Sequence, residues 1–355
     1  MARYHPGRGG GAQWLQPRIG HDRCGRVYGA VPLSETGMDE FTLIRKHFQL
    51  LSPASADVLL GVGDDCALLL PPAGEELAVT TDTLVAGRHF DAQARPGDIA
   101  WKALAVSLSD LAAMGARPRW FVLALTLEQA DEAWLEAFAQ GLKALAGPCG
   151  ISLVGGDTTR GPLSVTITAM GTVPSGKAIR RSCAKPGDVV CVTGTLGDAA
   201  LALQLGLATQ CARFDADREF LKQRLNRPTP RLSVGCSLRG LAHAALDLSD
   251  GLAGDLQHIL EASWVGAEIQ ADKLPMSEAF QRLAPAAMRL QLQAAGGDDY
   301  ELCLCIPPER FEEARRKLDV PLHDIGRITR EPGLRWLDAG GRTLAVELRG
   351  YNHFP

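Results

Sequence analysis

From Met38 onward, apolar residues recur at spacings that predict alternating helices and strands. Phe41, Ile44, Phe48 and Leu51 lie on one helix face. Residues 77–81 read as a strand ending at Asp82, and 100–114 as an amphipathic helix whose apolar face runs through Trp101, Leu104, Ala105, Leu108, Leu111 and Ala112. A helix is expected over 131–145, a short strand over 151–154 that delivers Gly155-Gly-Asp157, and a strand over 164–173. After 174–187, rich in Pro, Gly, Lys and Arg, the pattern resumes. It gives a strand at 188–193, a Gly194-Thr-Leu-Gly197 turn, and helices at 198–206 and about 218–225. A Leu/Ala-rich stretch and an acidic turn at 247–251 precede a helix at 252–262, a strand at 265–270 and helices near 277–293. A strand at 301–306, a helix at 308–317 and strands near 323–328 and 343–348 complete the pattern. The alternation predicts α/β or α+β layering in two domains, N-terminal 38–174 and C-terminal 175–355. Residues 1–37 differ: Gly9-Gly-Gly11, scattered arginines and no sustained periodicity predict a disordered extension, or translation from upstream of a working start at Met38. No apolar run there matches a signal peptide.

The 355 residues are enough for two domains with a buried core, and 46% hydrophobic with 22% charged residues is an ordinary globular balance. A net charge of −4 gives no bulk attraction to nucleic acid or anionic membrane. The apolar runs are far too short to cross a bilayer. The nine cysteines show no Cys-x-x-Cys spacing or zinc pattern, which suits a reducing cytoplasm. Strand alternation would put the thiols of Cys303 and Cys305 on one buried face.

The chemistry lies in short strings that place aspartate beside glycine, serine or threonine: Asp64, Asp82, Asp110, Asp157, Asp247 with Asp250, and Gly296-Gly-Asp-Asp-Tyr-Glu301. A lone Ser-Asp or Asp-Gly is usually a turn or a helix cap. Such carboxylates taken together are costly to gather unless cations neutralise them, and an oxygen-only set suits Mg²⁺ held between carboxylates and substrate phosphates. Neighbouring glycines let the backbone approach anions closely, and Arg180 and Arg181 could add positive charge near a transferring phosphate. The Walker and dinucleotide glycine signatures are absent, as is a nucleophile-elbow serine. Leu108-Ser-Asp110 echoes Leu248-Ser-Asp250, and Gly63-Asp-Asp65 echoes Gly297-Asp-Asp299, a weak sign of duplication.

In order, the strings Gly63-Asp-Asp-Cys-Ala-Leu-Leu69, Thr80 to Phe90, Ala103 to Ala116, Gly155-Gly-Asp-Thr-Thr-Arg-Gly161, Asp247-Leu-Ser-Asp-Gly-Leu252 and Gly296 to Leu302 resemble the thiamine-monophosphate kinase family. So does the Gly350-Tyr-Asn-His-Phe354 ending. The resemblance covers about 38–355. It implies two α/β domains like those of aminoimidazole-ribonucleotide synthetase and selenophosphate synthetase, with N-terminal domains pairing in a homodimer through a β-barrel-like interface. It also implies ATP-dependent phosphorylation of thiamine monophosphate to thiamine diphosphate with several Mg²⁺ ions. Residue by residue, it implies metal ligation by Asp64, Thr80, Thr81, Asp82, Asp110, Asp157, Asp247 and Asp250. Nucleotide contacts fall at Gly156, Arg181 and Ser249, and thiamine-phosphate contacts at His89, Asp298 and Tyr351. Asp298 stands where the family usually has Glu, and Tyr351 where some relatives have Trp. An acceptor that is already an anionic phosphate needs no strong base, so direct in-line transfer is expected, with Asp110 and Asp250 acting through metal. The selenophosphate relatives use a reactive residue near the N-terminus, where only Cys24 precedes the first aspartate string. The hydrogenase-maturation relatives end in a functional cysteine, and this chain ends Asn352-His-Phe-Pro355. A non-catalytic binding protein on the same fold would need fewer carboxylates.

Overall fold

A computed structural model describes residues 44–48, 51, 55–207 and 215–351. The expected extension 1–37, Phe41 and the terminal His353-Phe354 lie outside them. A small antiparallel pair, β1 (Val58–Leu60) and β2 (Leu68–Leu69), precedes the first large sheet. That sheet contains β3 (Glu75–Val85), β4 (Arg117–Leu127), β5 (Ser152–Arg160) and β6 (Ser164–Pro174) in the order β3-β6-β4-β5. Its pairings are antiparallel except β4 with β5, which are parallel.

Two helices cover one face. In α1 (Pro96–Ala113), Pro96 occupies a first-turn position where a missing N–H costs nothing. The apolar residues Ile99, Leu104, Leu108 and Leu111 are buried, each contributing roughly 1.5–3 kcal/mol relative to exposure. α2 (Glu132–Cys149) is capped by Asp131, whose carboxylate accepts the Trp134 N–H at 2.8 Å, and ends at Gly150 in a left-handed conformation. α1 packs on β3, β6 and α2, and its other side meets the second half of the chain. Leu104 and Leu108 belong to the first core, whereas Ala112 and Ala113 join a core shared with Val234, Leu238 and Leu304.

The second sheet contains β7 (Val189–Thr193), β8 (Ala244–Asp247), β9 (Gly266–Gln270), β10 (Leu302–Ile306), β11 (Leu322–Thr329) and β12 (Gly333–Leu337). Its order is β12-β9-β11-β7-β10-β8, with only the β9–β12 pairing parallel. Around it lie α3 (Asp198–Gln204), α4 (Ala216–Asn226), α5 (Leu232–Leu238), α6 (Leu252–Ser263), α7 (Glu278–Leu283), α8 (Arg289–Ala295) and α9 (Pro308–Arg316). Cys303 and Cys305 are buried in the same core, on one face of β10, as alternation predicts.

Several elements differ from the sequence reading. β3 does not end at Asp82 but runs to Val85, because all its residues pair with β6. Gly155-Gly-Asp157 is not a turn after a strand; it lies inside β5, paired with Val122, Leu123 and Ala124 of β4. β4 itself carries no predicted element. The strand expected near 343–348 does not form: the edge of β9 is taken by β12, whose Trp336 is buried, and 343 makes a single bridge to Leu337. The echoing Leu-Ser-Asp strings sit in unlike settings, one inside α1 and one in the loop after β8.

Candidate active site

Alternation along β3 sorts its polar residues. Thr80, Asp82 and Leu84 turn toward α1, whereas Leu77, Val79, Thr81 and Thr83 turn away. The Thr80 hydroxyl donates to Asp110 of α1, and Ser107, one turn earlier, donates to Asp82 Oδ2 at 2.7 Å. Thr81 instead meets Thr168 across the other face, hydroxyl to hydroxyl at 2.8 Å. Its side chain is therefore not brought to the acidic group it was grouped with.

Asp247 closes the cluster from the second half, at the end of β8. Burial pushes the Asp247 carboxyl well above its ordinary value, and the charge of Asp110 pushes it further. Asp82 is raised by burial and by the same Asp110 charge, against the lowering effect of the Ser107 hydroxyl. Carboxylates from β3, α1 and β8 are thus brought together, with hydroxyls of Thr80 and Ser107 donating to two of them.

The loop from Leu248 to Gly251 is held by a residue that sequence reasoning missed. Asp255, in the first turn of α6, accepts the N–H groups of Ser249, Asp250 and Gly251, each at 3.0 Å and all on Oδ2. It is 5% exposed, and burial together with the charge of Asp250 raises its pKa to about 7. Its sequence signal is an aspartate in the first turn of a helix, legible only as a cap. The same loop binds two others through backbone bonds. Asp298 N–H and Tyr300 N–H donate to the carbonyls of Ser249 and Leu248, and Tyr351 N–H donates to that of Asp250. Gly297 is required here, since a Cβ would stand 2.5 Å from the Ser249 carbonyl oxygen.

Below that loop, Glu301 is fully buried and neutralised by Arg224 at 3.0 Å and by Arg231 through two bonds at 2.6 and 2.5 Å, with the Thr193 hydroxyl donating at 2.6 Å. Asp299 takes the Gly197 N–H on both oxygens. This network fixes the 296–301 string against β7 and α3.

The result is a cavity of about 550 Å³ between the two halves. Asp82, Asp110, Asp247, Ser249 and Asp250 line its acidic side. His89, Asp298 and Tyr351 line it as well, beside apolar Leu84, Val106 and Leu203. His89 Nδ1 accepts the Val85 N–H at 3.0 Å, which leaves the proton of the neutral ring on Nε2. A second missed residue, Lys102, also lines this cavity.

The remaining expected residues lie elsewhere. Asp64, Gly156 and Asp157 line a separate cavity of about 730 Å³ formed by the 61–67 loop and the β4–β5 edge. Thr80 is held at Asp110 but is not part of either lining. Arg181 is exposed in a short turn, Arg181–Cys183, where its carbonyl accepts the Ser263 hydroxyl at 2.8 Å, and it borders neither cavity.

The donor chemistry suits a hard divalent cation: the acidic side offers carboxylates and hydroxyls, and a bound cation would favour the ionised form of Asp82 and Asp247, which burial and the Asp110 charge oppose. Among the described residues, no three acidic, histidine or cysteine side chains are set to hold a metal by themselves.

Comparison with known proteins gives one consistent result. Residues 63–173 match the AIR synthase related protein N-terminal domain, and 185–337 the corresponding C-terminal domain. The chain is 47% identical over 319 residues to a thiamine-monophosphate kinase of Salmonella typhimurium, covering 89% of this chain and 98% of the other. It resembles the crystal structure of the Stenotrophomonas maltophilia thiamine-monophosphate kinase with a TM-score of 0.79 and 48% identity, over 85% of this chain and 97% of that one. It also resembles AaThiL complexed with AMPPCP and TMP, with a TM-score of 0.72 and 29% identity, over 92% of this chain and 100% of that one.

Proposed function

This chain belongs to the thiamine-monophosphate kinase family within the AIR synthase related proteins, and we propose that it transfers the γ-phosphoryl group of ATP directly to the phosphate of thiamine monophosphate, giving thiamine diphosphate and ADP. The observation that carries this reading is the interdomain cavity in which Asp82, Asp110, Asp247 and Asp250 stand beside His89, Asp298 and Tyr351. The acceptor is an anion, so the main barrier is charge repulsion rather than proton removal. Asp82, Asp110, Asp247 and Asp250 would hold Mg²⁺ here, and Asp64 and Asp157 would hold it at the β5 edge. Bound Mg²⁺ supplies the positive charge that lets two phosphates approach.

Gly156, Ser249 and Arg181 are assigned to the nucleotide. The open edge beside Gly156 supports its assignment, while that of Arg181 rests on the family pattern alone. His89, Asp298 and the Tyr351 ring are assigned to the thiamine phosphate, the ring being placed to stack on an aromatic ligand. Thr80 orients Asp110 through its hydroxyl. No nucleophilic side chain is required, so no phospho-enzyme forms.

Two domains, 38–174 and 175–355, fit the separation of the two large sheets around 174–189. A homodimer is supported by the outward face of β3, where Leu77 is 49% and Val79 57% exposed. A cytoplasmic setting suits the free thiols of the described cysteines. No helix among the described residues is long and apolar enough to cross a membrane.

The test is chromatography of thiamine species after incubating the protein with MgATP and thiamine monophosphate, with unphosphorylated thiamine as a parallel acceptor. The expected result is thiamine diphosphate from the monophosphate only, abolished by EDTA. Bound thiamine monophosphate without turnover would instead identify a binding protein.

A further inference from the structure

α1 presents a stripe of Lys102, Val106 and Asp110 to the interdomain cavity, each one helical turn from the next. Lys102 is the unexpected member. Its side chain is 4% exposed, and a buried ammonium must find acceptors or lose its charge. Nζ has two of them: Asp298 Oδ2 at 3.0 Å and the main-chain carbonyl of His89 at 3.0 Å.

These acceptors come from the two halves of the chain. His89 belongs to the turn after β3, which is closed by Gly87 N–H to the Phe90 carbonyl at 2.8 Å and by Val85 N–H to His89 Nδ1 at 3.0 Å. Asp298 belongs to the loop before β10. It adopts a positive φ of 69°, and its other carboxylate oxygen accepts the Tyr300 hydroxyl at 3.1 Å. Each carboxylate oxygen therefore has a donor, and the Asp298 side chain has little freedom left. His89 and Asp298 are also the two groups the proposed function assigns, with Tyr351, to the acceptor.

We propose that Lys102 is a positioning residue for thiamine monophosphate: one buried ammonium sets the distance between the His89 turn and the Asp298 carboxylate, and so the width of the acceptor site. This rests on the kinase reading. The ammonium acts through Asp298 rather than on substrate, since two of its three N–H donors are already committed to protein acceptors. It also supplies a positive charge to Asp298, one of the carboxylates that line the cavity.

The test is a double-mutant cycle of Lys102→Met and Asp298→Asn, with Lys102→Arg as the conservative variant. KM for thiamine monophosphate and for ATP, kcat and the melting temperature are measured on each, with calorimetric binding of thiamine monophosphate, which needs no turnover. K102M is expected to raise KM and Kd for thiamine monophosphate at least about tenfold while KM for ATP changes less than about twofold. The double variant should be no worse than D298N alone, and K102R should recover part of the loss. Effects of K102M and D298N that multiply would overturn the proposal, because Lys102 would then act independently of Asp298. So would equal changes in both KM values accompanied by a lower melting temperature. If K102M fails to fold, Lys102→Gln, which loses the charge and keeps a shorter donor, takes its place beside D298N: a K102Q protein that leaves acceptor binding unmoved while D298N weakens it separates the two residues and overturns the proposal. Wild-type protein that binds thiamine monophosphate but makes no diphosphate would refute the kinase reading while leaving the cycle on binding to judge Lys102.

Discussion

Burial raises the carboxyls of both Asp82 and Asp247, and Asp110, near the end of α1, adds its charge to that effect. Asn at that position would remove a charge the fold does not need and the proposed metal does. Asp110→Asn should lower kcat on the order of 10²-fold or more, with a melting temperature equal to or above wild type in EDTA. Near-normal turnover would refute the metal assignment. A second residue-scale expectation concerns Asp198, which is fully buried. Burial raises its carboxyl above the ordinary 3.8, against the Ser277 and Thr195 hydroxyls that donate to it and the Arg224 charge. A carboxyl with a higher pKa folded than unfolded holds its proton more tightly in the folded chain. Its stabilising contribution is full below the unfolded value and is lost as pH rises through the folded one. Urea unfolding of wild type and Asp198→Asn at several pH values should show wild type losing ground to the variant as pH climbs from about 4. A gap moving the other way would contradict this.

At the scale of elements, the helices were legible because their apolar spacing is long and regular: α1 starts four residues before its expected span and stops one short of its end, and α2 starts one residue late and runs four further. Strands were legible only where flanking turns bounded them. β4 went unread because Arg117-Pro118 and the bulky run after it lack polar alternation, being buried between β5 and β6. β5 ran past its expected end because the Gly-Gly-Asp string reads locally as a turn, while a partner strand makes it extended. Gly156 shows why glycine is needed there. It has a φ of +152°, and an added Cβ would stand 1.9 Å from the Leu123 carbonyl oxygen, so the residue permits close strand pairing as well as forming a cavity wall. Gly156→Ala should therefore cost about 3 kcal/mol of stability in denaturant unfolding. A melting curve like that of wild type would show that the strand pairing tolerates the side chain.

For the whole molecule, activity and assembly separate. Chelation by EDTA should abolish phosphoryl transfer reversibly, with Mg²⁺ restoring it and the far-ultraviolet circular dichroism unchanged throughout, because none of the proposed metal ligands belongs to the hydrophobic cores. Carboxylates on the outward face of β3, as Leu77→Asp with Val79→Asp, should give a monomer in sedimentation equilibrium where wild type sediments as a dimer. A wild-type monomer, or a dimer that survives both changes, would move the interface away from β3. Either result leaves the interdomain cavity intact, because neither Leu77 nor Val79 lines it; from β3 the lining is Asp82, Thr83 and Leu84.

Residue order alone pointed to the family, the α/β fold class and eight of the residues that line the interdomain cavity, because runs of aspartate with glycine and serine are local and legible without the fold. Tertiary structure decided which of those residues meet. Strand alternation sends Thr81 to the far face from Asp82, the β4–β5 pairing places Asp157 in a cavity apart from Asp110, and Arg181 lies on neither. It also supplied Asp255 and Lys102, buried polar residues of helices whose roles come from three backbone N–H groups in one case and from the two halves of the chain in the other. Partners brought together by long-range packing leave no periodic trace in the chain, so a buried charge and its acceptors become visible only once the backbone has closed around them.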